Sequence, residues 1–342
     1  MLEINFKILK EIKNNNLVTQ RELAKKVDVS LGKINSLLKE FNDQGYIKKV
    51  SKNNRAIYEI TKLGEEVLIE GLNLVMKTKL SINEKNERKS YIREAVILAA
   101  GSQKDFNKPI GSLEIENETI IDRIIKKLYK YGIEKIIVIT GYERAYLKNI
   151  VANYKNVIEV YNKNYNISGT MKSLACAENK VSDDFILIES DLLFEDRALK
   201  SVLDNMIRDC VLITDISGIG DEAFVEIRND YLYKISKDIH QFNRIDGELV
   251  GISKISVNLF NLMLNEFKEN ENKFVNYEYI LLDVSRKYDI GYVKINDLIW
   301  GEVDNISQYE KIKKDILPLI KKSEDEEIKE GKHRWKFVIW LI

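Results

Sequence analysis

The sequence predicts an α/β protein of two parts, a small helical domain with a two-stranded ribbon and then a doubly wound, mainly parallel sheet. Three observations predict this class. The 342 residues suffice for about two domains. Residues 1–76 contain helix patterns and two short strand patterns, and from residue 94 onward buried strand patterns alternate with amphipathic helix patterns. Such alternation is typical of a parallel sheet with helical crossovers.

The composition excludes several classes of protein. With 54 basic and 54 acidic side chains and 44% apolar residues, the chain has the make-up of an ordinary soluble protein. Two cysteines and two histidines are too few for a Cys/His zinc site or a disulfide framework, so a cytoplasmic location is expected. No apolar run is long enough for a transmembrane segment. Catalysis is therefore expected from carboxylates, lysines, backbone amides and a hard metal ion.

The net charge of zero conceals a division along the chain. Residues 1–93 contain 19 basic and 12 acidic side chains, a net charge of +7, so the remainder carries −7. Such asymmetry often accompanies parts with different partners. We predict domains at 1–76 and 94–320, a polar linker at 77–93, and a charged then apolar tail at 321–342. The tail is expected to dock on protein, with an edge strand or contact with a membrane surface as alternatives.

The first domain is predicted from its helix caps and its turns. Thr19 followed by Glu22 is a capping box that starts the second helix, and Ser30 caps the third. The strand patterns YIKKV and AIYEI come next, joined by the turn SKNNR, and a last helix covers 62–76. Helices, turn and wing in this order resemble the winged helix-turn-helix domain, and the run QGYI…YEITKLGEEVL resembles that of winged-helix regulators.

This resemblance implies a DNA-binding surface on the third helix, residues 31–42, and on the wing. The helix would enter a major groove and direct three side chains toward bases, namely Lys33, Asn35 and Ser36. The wing would contact phosphates through basic side chains, namely Lys48, Lys49, Lys52 and Arg55. The alternative is a protein-binding or dimerising module whose lysines are merely solvated.

The second domain opens with the strand pattern EAVILAAG, a loop, and then P-x-x-x-L-E-I before a helix. A strand that ends in small residues and glycine lets backbone amides approach a nucleotide closely. This segment resembles the LAAG loop of the nucleotidyltransferase family, whose members act on sugar phosphates, phosphocholine, inositol phosphate and aminoethylphosphonate. The resemblance implies a Rossmann-like nucleotidyltransferase domain over 94–320.

The loop departs from the family pattern L-A-A-G-x-G-x-R…P-K at three positions. Gln103 replaces the second glycine, Asp105 the arginine and Ile110 the lysine. In the family the two cations hold the triphosphate, so the resemblance implies Lys104 and Lys108 as their substitutes. The alternative is a domain whose activity is weak or absent.

Two later motifs place aspartates at strand ends. FILIESD ends in Asp191, and WGEVD ends in Asp304. The resemblance implies that both aspartates bind Mg²⁺, which takes hard oxygen ligands and few carboxylates. Each could instead cap a helix, but Asp196 is better spaced than Asp191 to cap the helix that follows it. For the last helix, Asp304 or Asn305 could be the cap.

The resemblance also implies which residues bind the substrates. The nucleotide would lie against the LAAG loop, the loop after the strand IIVIT, and the segment NISGTMKSL, whose helix N-terminus offers amides to an anion. These residues are Leu98, Ala99, Ala100, Gly101, Ser102, Gly141, Tyr142, Gly169, Thr170 and Lys172. The inserted antiparallel piece that begins at SGIGDEAF would hold the acceptor, with Asp221 and Glu222 on a cationic head group, or as an exposed acidic turn.

The later motifs look most like the cytidylyltransferase branch for phosphocholine or 2-aminoethylphosphonate. The implied reaction is direct displacement at the α-phosphorus of CTP, assisted by Lys104, Lys108 and Asp191, with Mg²⁺ as cofactor. Homodimers are also expected. A rival hypothesis is a DNA-binding regulator whose altered transferase domain only senses a nucleotide or product, and a third is an enzyme whose winged helix only dimerises.

Overall fold

The computed structural model describes residues 2–14, 18–27, 29–52, 55–65, 67–68, 91–218, 220 and 222–325. The chain divides into two compact units, residues 1–86 and 87–342. The predicted tail beyond 325, the end of the predicted 62–76 helix and most of the predicted linker lie outside the described residues. Within the described ranges, no helix is both long enough and apolar enough to cross a membrane.

The described residues of the first unit form three helices and then a two-stranded antiparallel ribbon, and residues 62–65 and 67–68 are again helical. Its elements are α1 (Leu2–Asn14), α2 (Gln20–Val27), α3 (Leu31–Asp43), β1 (Ile47–Lys52) and β2 (Arg55–Ile60). The predicted capping box is present, because Thr19 N donates to Glu22 Oε2 at 2.8 Å and Glu22 N donates back to Thr19 Oγ1 at 3.4 Å. Ser30 Oγ accepts from Lys33 N, as predicted. This order of elements confirms the winged helix-turn-helix fold.

The second unit is built on a nine-stranded sheet with helices on both faces. Its longer strands are β3 (Glu94–Ala99), β6 (Lys135–Thr140), β7 (Val157–Tyr161), β8 (Phe185–Glu189), β10 (Cys210–Thr214), β11 (Phe224–Arg228), β12 (Tyr231–Ser236), β13 (Gly247–Ile255) and β14 (Gly291–Ile295). Two short strand pairs are β4 (Glu114–Ile115) with β5 (Glu118–Thr119), and β9 (Leu192–Phe194) with β15 (Trp300–Glu302). The helices are α4 (Ile120–Lys130), α5 (Ala145–Val151), α6 (Thr170–Ala175), α7 (Asp196–Asp204), α8 (Val257–Glu269), α9 (Tyr277–Ser285) and α10 (Ile306–Lys311).

The centre of the sheet is parallel. The order is β12-β11-β13-β8-β3-β6-β7, with β10 paired to both β13 and β14. Strands β8, β3, β6 and β7 run parallel to one another, and β13 pairs with β8 antiparallel. The two buried clusters lie on opposite faces, because alternate residues of β3 divide between them: Ala95 and Ile97 belong to one, Val96 and Leu98 to the other. The predicted doubly wound α/β class is confirmed.

The sequence SGIGDEAFVEIRNDYLYKISK predicts a hairpin with its turn at Asn229 and Asp230, and the inserted antiparallel piece contains it. Strands β11 and β12 pair antiparallel, and their turn residues Asn229 and Asp230 have φ of 52° and 69°. Two consecutive positive φ angles are those of a type I′ turn, which Asn and Asp tolerate well. The hairpin turn was therefore predictable from composition alone.

Two local predictions were wrong. Asp196 does not cap α7: Glu195 is the N-cap residue, and Asp196 instead accepts hydrogen bonds from Lys127 and Lys130 on α4. The pattern SLACAEN predicts a helix over residues 173–179, but the helix begins earlier, at Thr170, and ends at Ala175. Both differences arise from contacts with distant segments, which local spacing does not reveal.

Candidate active site

The first component of the candidate site is the shared end of two parallel strands. Register aligns Leu98 of β3 with Glu189 of β8, and Ser190 N donates to Leu98 O at 3.0 Å. The LAAG segment and the ESD segment therefore leave the sheet side by side. In open α/β sheets this carboxyl edge is where ligands bind.

A short antiparallel pair brings the second acidic motif to the same edge. Strand β15 pairs with β9 so that Glu302 lies opposite Leu192, and Val303 N donates to Asp191 O at 3.0 Å. The WGEVD motif is thereby attached beside Asp191, although the two motifs are far apart in sequence. Asn305, rather than Asp304, caps α10 by accepting from Gln308 N.

Three carboxylates converge at this point. One ligand atom each of Glu189, Asp191 and Glu302 lies within 4.8 Å of the others. Burial is the main cause that raises the pKa of all three carboxyl groups well above their usual range. Their like charges, with that of Asp304 beside Asp191, raise these pKa values further. Lys237 acts in the opposite direction on Glu189 and Glu302, but its charge does not outweigh burial and the neighbouring carboxylates.

The carboxylate of Glu189 is positioned by residues of two other elements, α9 and β13. Tyr277 at the start of α9 donates its hydroxyl to Glu189 Oε1 at 2.6 Å. Gly251 on β13 has a φ of 79°, and a Cβ there would lie 3.1 Å from Glu189 Oε1. Glycine at this position therefore leaves room for the Glu189 carboxylate and tolerates the left-handed backbone.

These residues fit a divalent cation. Asp191 Oδ1 is buried and has no hydrogen-bond partner among the described residues, which is costly for a carboxylate oxygen. The surrounding donors are carboxylate oxygens, the ligand type that Mg²⁺ prefers. A bound divalent cation would give Asp191 Oδ1 a partner and would offset the repulsion among the carboxylates of the cluster.

The LAAG loop and Asp191 line a common cavity of about 100 Å³. Its walls include Leu98–Gln103, Thr170 and Ser173 of α6, and the segment Glu189–Asp191. A Cβ added to Gly101 would meet no atom within 4 Å, so this glycine faces open space rather than packed protein. Six of the predicted nucleotide residues therefore lie together at the cavity wall, namely Leu98, Ala99, Ala100, Gly101, Ser102 and Thr170.

Of the three departures from the family loop, two contact residues 304–306 and the third is buried. Gln103 Nε2 donates to Asp304 Oδ1 at 3.0 Å, and Asp105 Oδ2 accepts from Ile306 N at 3.4 Å. Ile110 is buried in the apolar core beside the cavity. Of the predicted substitute cations, Lys104 is exposed and Lys108 is partly buried, and neither lines the cavity. Their roles stay predictions.

Gly141 and Tyr142 support the LAAG loop from the neighbouring strand. A Cβ on Gly141 would lie 2.4 Å from Ala100 O, and Tyr142 N donates to that same oxygen at 3.1 Å. Gly141 is therefore required for close packing with Ala100. This structural role does not test the predicted contact with a nucleotide.

The segment around Gly169 packs against the chain before α9. A Cβ on Gly169 would lie 2.3 Å from the carbonyl oxygens of Phe274 and Val275. The amides of Gly169, Thr170 and Met171 donate to Lys273 O, Asn276 Oδ1 and Val275 O, so protein acceptors already bind them. The contact of this segment with a nucleotide stays a prediction. Lys172 lines a different cavity, together with Lys268 and Lys273.

A second, acidic cavity of about 80 Å³ adjoins the cluster and shares Glu189 with the first. Its wall includes six carboxylates, Glu189, Glu222, Glu248, Glu278, Glu302 and Asp304, together with Lys237 and Trp300. Glu248 is buried; its Oε2 accepts from Ser217, while its Oε1 has no partner among the described residues. Of the two predicted acceptor residues, Glu222 lines this cavity, and Asp221 lies outside the described residues.

In the first unit, the predicted DNA-contacting residues are largely on the surface. Lys33, Ser36, Lys48 and Lys49 are exposed. Asn35 is also exposed, and its Oδ1 accepts from Gln20 Nε2 at 2.9 Å. Lys52 and Arg55 belong to the ribbon, and their side chains lie outside the described set.

Comparison with known families agrees with both units. Residues 1–48 match the model of a winged helix-turn-helix DNA-binding family, and residues 95–235 match the model of the MobA-like NTP transferase domain. The chain has a winged helix-turn-helix domain and a MobA-like NTP transferase domain. The predicted recognition of both is confirmed.

The relatives of the NTP transferase domain are distant. A bifunctional IPC transferase and DIPP synthase of Thermococcus kodakarensis is 27% identical over 235 residues, covering 65% of this chain and 50% of that protein. A bifunctional GlmU protein of Methanococcus aeolicus is 22% identical over 216 residues, covering 61% of this chain and 51% of its own length. The chain thus spans about half the length of these relatives.

Two solved structures share the fold of the NTP transferase domain. The inositol-1-phosphate CTP transferase of T. maritima superposes with a TM-score of 0.57 at 20% identity, covering 66% of this chain and 98% of that one. The CTP:phosphocholine cytidylyltransferase of Streptococcus pneumoniae has a TM-score of 0.54 at 20% identity, covering 65% and 98%. At this identity the likeness shows the fold.

Sequence reasoning missed several residues of the NTP transferase domain's acidic cavity. Glu248 and Glu278 lie within an ordinary strand and an ordinary helix, where single carboxylates carry no motif signal. Tyr277 also escaped notice, since only the fold brings it to Glu189. Gln103 was noticed only as a missing glycine.

Proposed function

We propose that the NTP transferase domain is a nucleotidyltransferase of the cytidylyltransferase type. It transfers a cytidylyl group from CTP to a small phosphomonoester or phosphonate that carries a cationic head group, as phosphocholine and 2-aminoethylphosphonate do, and releases pyrophosphate. The observation that carries this proposal is the pair of cavities that share Glu189, one lined by the LAAG loop and the other by six carboxylates. Donor and acceptor would meet at the carboxylate cluster between them.

The acidic cavity favours a cationic acceptor. Among the described residues that line its wall are six carboxylates and one lysine. Trp300 adds an aromatic surface of the kind that binds ammonium groups. The buried Glu248 Oε1 has no hydrogen-bond partner among the described residues, and a primary ammonium group, as in 2-aminoethylphosphonate, would donate to it. The quaternary ammonium of phosphocholine has no N–H, so its attraction to Glu248 would be electrostatic alone. The two similar structures are those of an inositol-1-phosphate CTP transferase and a CTP:phosphocholine cytidylyltransferase, so a neutral and a cationic head group both belong in the test.

The reaction requires no general base from this chain. An anionic oxygen of the acceptor's phosphate or phosphonate forms a bond to the α-phosphorus of CTP, and the bond from that phosphorus to the β-bridging oxygen breaks, releasing pyrophosphate. The protein's contribution is positioning and charge stabilisation. Asp191, Glu302 and Asp304 would hold Mg²⁺, which supplies charge neutralisation to the phosphates when bound. Backbone amides of the LAAG loop, with Lys104 and Lys108, would bind the triphosphate.

The test is a matrix of pyrophosphate-release assays on the full chain with Mg²⁺. Each common nucleoside triphosphate is paired with phosphocholine, 2-aminoethylphosphonate and inositol-1-phosphate. We expect turnover with CTP and a cationic acceptor. Turnover with inositol-1-phosphate alone would contradict the acceptor class, and no turnover with any pair would contradict the transferase activity.

The variant Glu248→Gln tests whether the acidic cavity binds the cationic head group of the acceptor. Glu248→Gln removes one buried charge with little change of shape, and should raise the KM of the cationic acceptor about tenfold or more while leaving that of CTP unchanged. The exposed Glu271→Gln is the matched control. Equal KM values for wild type and Glu248→Gln would contradict a role of this wall in acceptor binding.

We propose DNA binding as the function of the winged helix-turn-helix domain. The exposed side chains of Lys33 and Ser36 on α3 and of Lys48 and Lys49 on β1 support it, as does the family that residues 1–48 match. Binding of the full chain to duplex DNA should weaken steeply as salt is raised. Lys49→Ala should weaken binding to all sequences alike and reduce the salt dependence. Salt-insensitive or undetectable binding would favour a dimerising module.

A further inference from the structure

The loop after the LAAG strand reaches across the candidate site to the WGEVD motif. Gln103 Nε2 donates to Asp304 Oδ1 at 3.0 Å, across 201 residues of sequence. Two more contacts join the same segments, since Asp105 Oδ2 accepts from Ile306 N at 3.4 Å and the rings of Phe106 and Tyr309 meet edge to face at 6.0 Å. The contact of Gln103 is therefore one part of a continuous attachment.

The chemistry of Gln103 suits a carboxylate that also faces a cation. Its amide donates a hydrogen bond without adding positive charge, so it orients Asp304 while leaving the negative charge of the cluster in place. A lysine or arginine here would neutralise Asp304 and compete with a metal ion. Hydrogen bonds that orient a ligating carboxylate from behind are a general feature of metal sites.

Gln103 also belongs to the wall of the cavity that contains Asp191. One side chain therefore connects the loop proposed to bind the triphosphate with the carboxylate proposed to bind the metal. In the family pattern a glycine stands at this position, and a glycine has no side chain with which to make this connection.

We propose that Gln103 is a positioning residue that sets the orientation of Asp304 for a divalent cation and couples the LAAG loop to the metal site. This inference rests on the proposed function, because it concerns the same carboxylates. By this inference, the glutamine that replaces the second glycine of the loop holds Asp304 in place, and the replacement need not impair activity. The altered loop is then compatible with an active enzyme.

The experiment measures binding of Mn²⁺ to the full chain by calorimetric titration, without nucleotide. Gln103→Met keeps the length of the side chain and removes the donor, and Gln103→Gly restores the residue of the family pattern. Both variants should raise the Kd of Mn²⁺ about tenfold or more. Gln241→Met, in an exposed turn, is the matched control and should bind Mn²⁺ as the wild type does.

Turnover supplies a second readout. Both variants at Gln103 should lower kcat and raise the Mg²⁺ concentration needed for half-maximal rate, with the KM of the acceptor unchanged. Far-UV circular dichroism and thermal unfolding without metal establish that each variant is folded, and the two variants serve as checks on each other.

The outcomes separate this inference from the proposed function. If Asp191→Asn abolishes Mn²⁺ binding while Gln103→Met and Gln103→Gly leave the Kd within twofold of wild type, the inference is wrong and the metal site stands. If Asp191→Asn leaves Mn²⁺ binding unchanged, the proposed metal site and the role of Gln103 are both wrong.

Discussion

The hydroxyl of Tyr277 donates a hydrogen bond of 2.6 Å to Glu189 Oε1, joining the first turn of α9 to the end of β8. Both side chains lie in the interior of the site, where burial raises the pKa of each. The bond connects the carboxylate cluster to the helix layer on one face of the sheet.

Tyr277→Phe should destabilise the protein. The substitution removes, with little change of shape, the hydroxyl that donates to the buried Glu189 carboxylate, and the free energy of unfolding should fall by about 1–3 kcal/mol. Denaturant unfolding of the full chain measures it. Tyr279→Phe, on the same helix and only partly buried, is the control and should change the free energy by less. Equal effects of the two variants would show that the hydroxyl of Tyr277 contributes little.

Asp191→Asn should abolish turnover and leave the fold intact. Without metal the variant should melt at a higher temperature than wild type, because it removes one of several crowded, buried like charges. Adding Mg²⁺ should raise the melting temperature of wild type and not that of the variant. The check is thermal unfolding with and without Mg²⁺, alongside pyrophosphate release; near-wild-type release would overturn the assignment of Asp191.

Two glycine substitutions should separate packing from ligand binding. Gly141→Ala forces a Cβ to within 2.4 Å of Ala100 O and 2.6 Å of Tyr165 Cβ, so it should cost about 1–3 kcal/mol of stability. Gly101→Ala meets no atom within 4 Å and should leave the melting temperature nearly unchanged. We expect Gly101→Ala instead to weaken CTP binding in a calorimetric titration, since the added methyl group enters the cavity. Unchanged CTP affinity would argue against a nucleotide at Gly101.

The buried ion pairs of Asp196 predict a pH dependence of stability. Burial alone would raise the pKa of this carboxyl group, but the hydrogen bonds from Lys127 and Lys130 outweigh it and hold the pKa below its usual value. Because the pKa of Asp196 is lowered in the folded state, its ion pairs stabilise the protein fully at pH values above the unfolded-state pKa, about 4. This stabilisation is lost as the pH falls through the folded-state pKa.

Asp196→Asn should therefore lower the free energy of unfolding at pH 7 and flatten its decline in acid. Urea unfolding between pH 7 and the acid limit of solubility measures both effects. Asp230→Asn makes the same chemical change in an exposed turn where Asn also accepts a positive φ, and should follow wild type. A wild-type acid slope in Asp196→Asn would contradict the ionised pairing.

Much of the fold could be predicted because its signals are local. The capping box at Thr19, the cap at Ser30 and the turn at Asn229 depend on residues within a few positions of one another. The alternation of buried strands with amphipathic helices depends only on side-chain periodicity. By contrast, the spacing of Asp196 favoured a helix cap, but in the fold this carboxylate pairs with two lysines of another helix instead.

The sequence by itself determined the two-domain order, the α/β class, the LAAG loop and the two aspartates that end ESD and WGEVD. Only the tertiary structure decided that β15 pairs with β9, which carries Glu302 and Asp304 to Asp191, and that Gln103 reaches Asp304. The physical reason is one of range. Caps, turns and periodic patterns depend on residues that are close together in sequence. A site where several charges converge depends on which distant segments pair in the fold, and local sequence patterns do not specify those pairings.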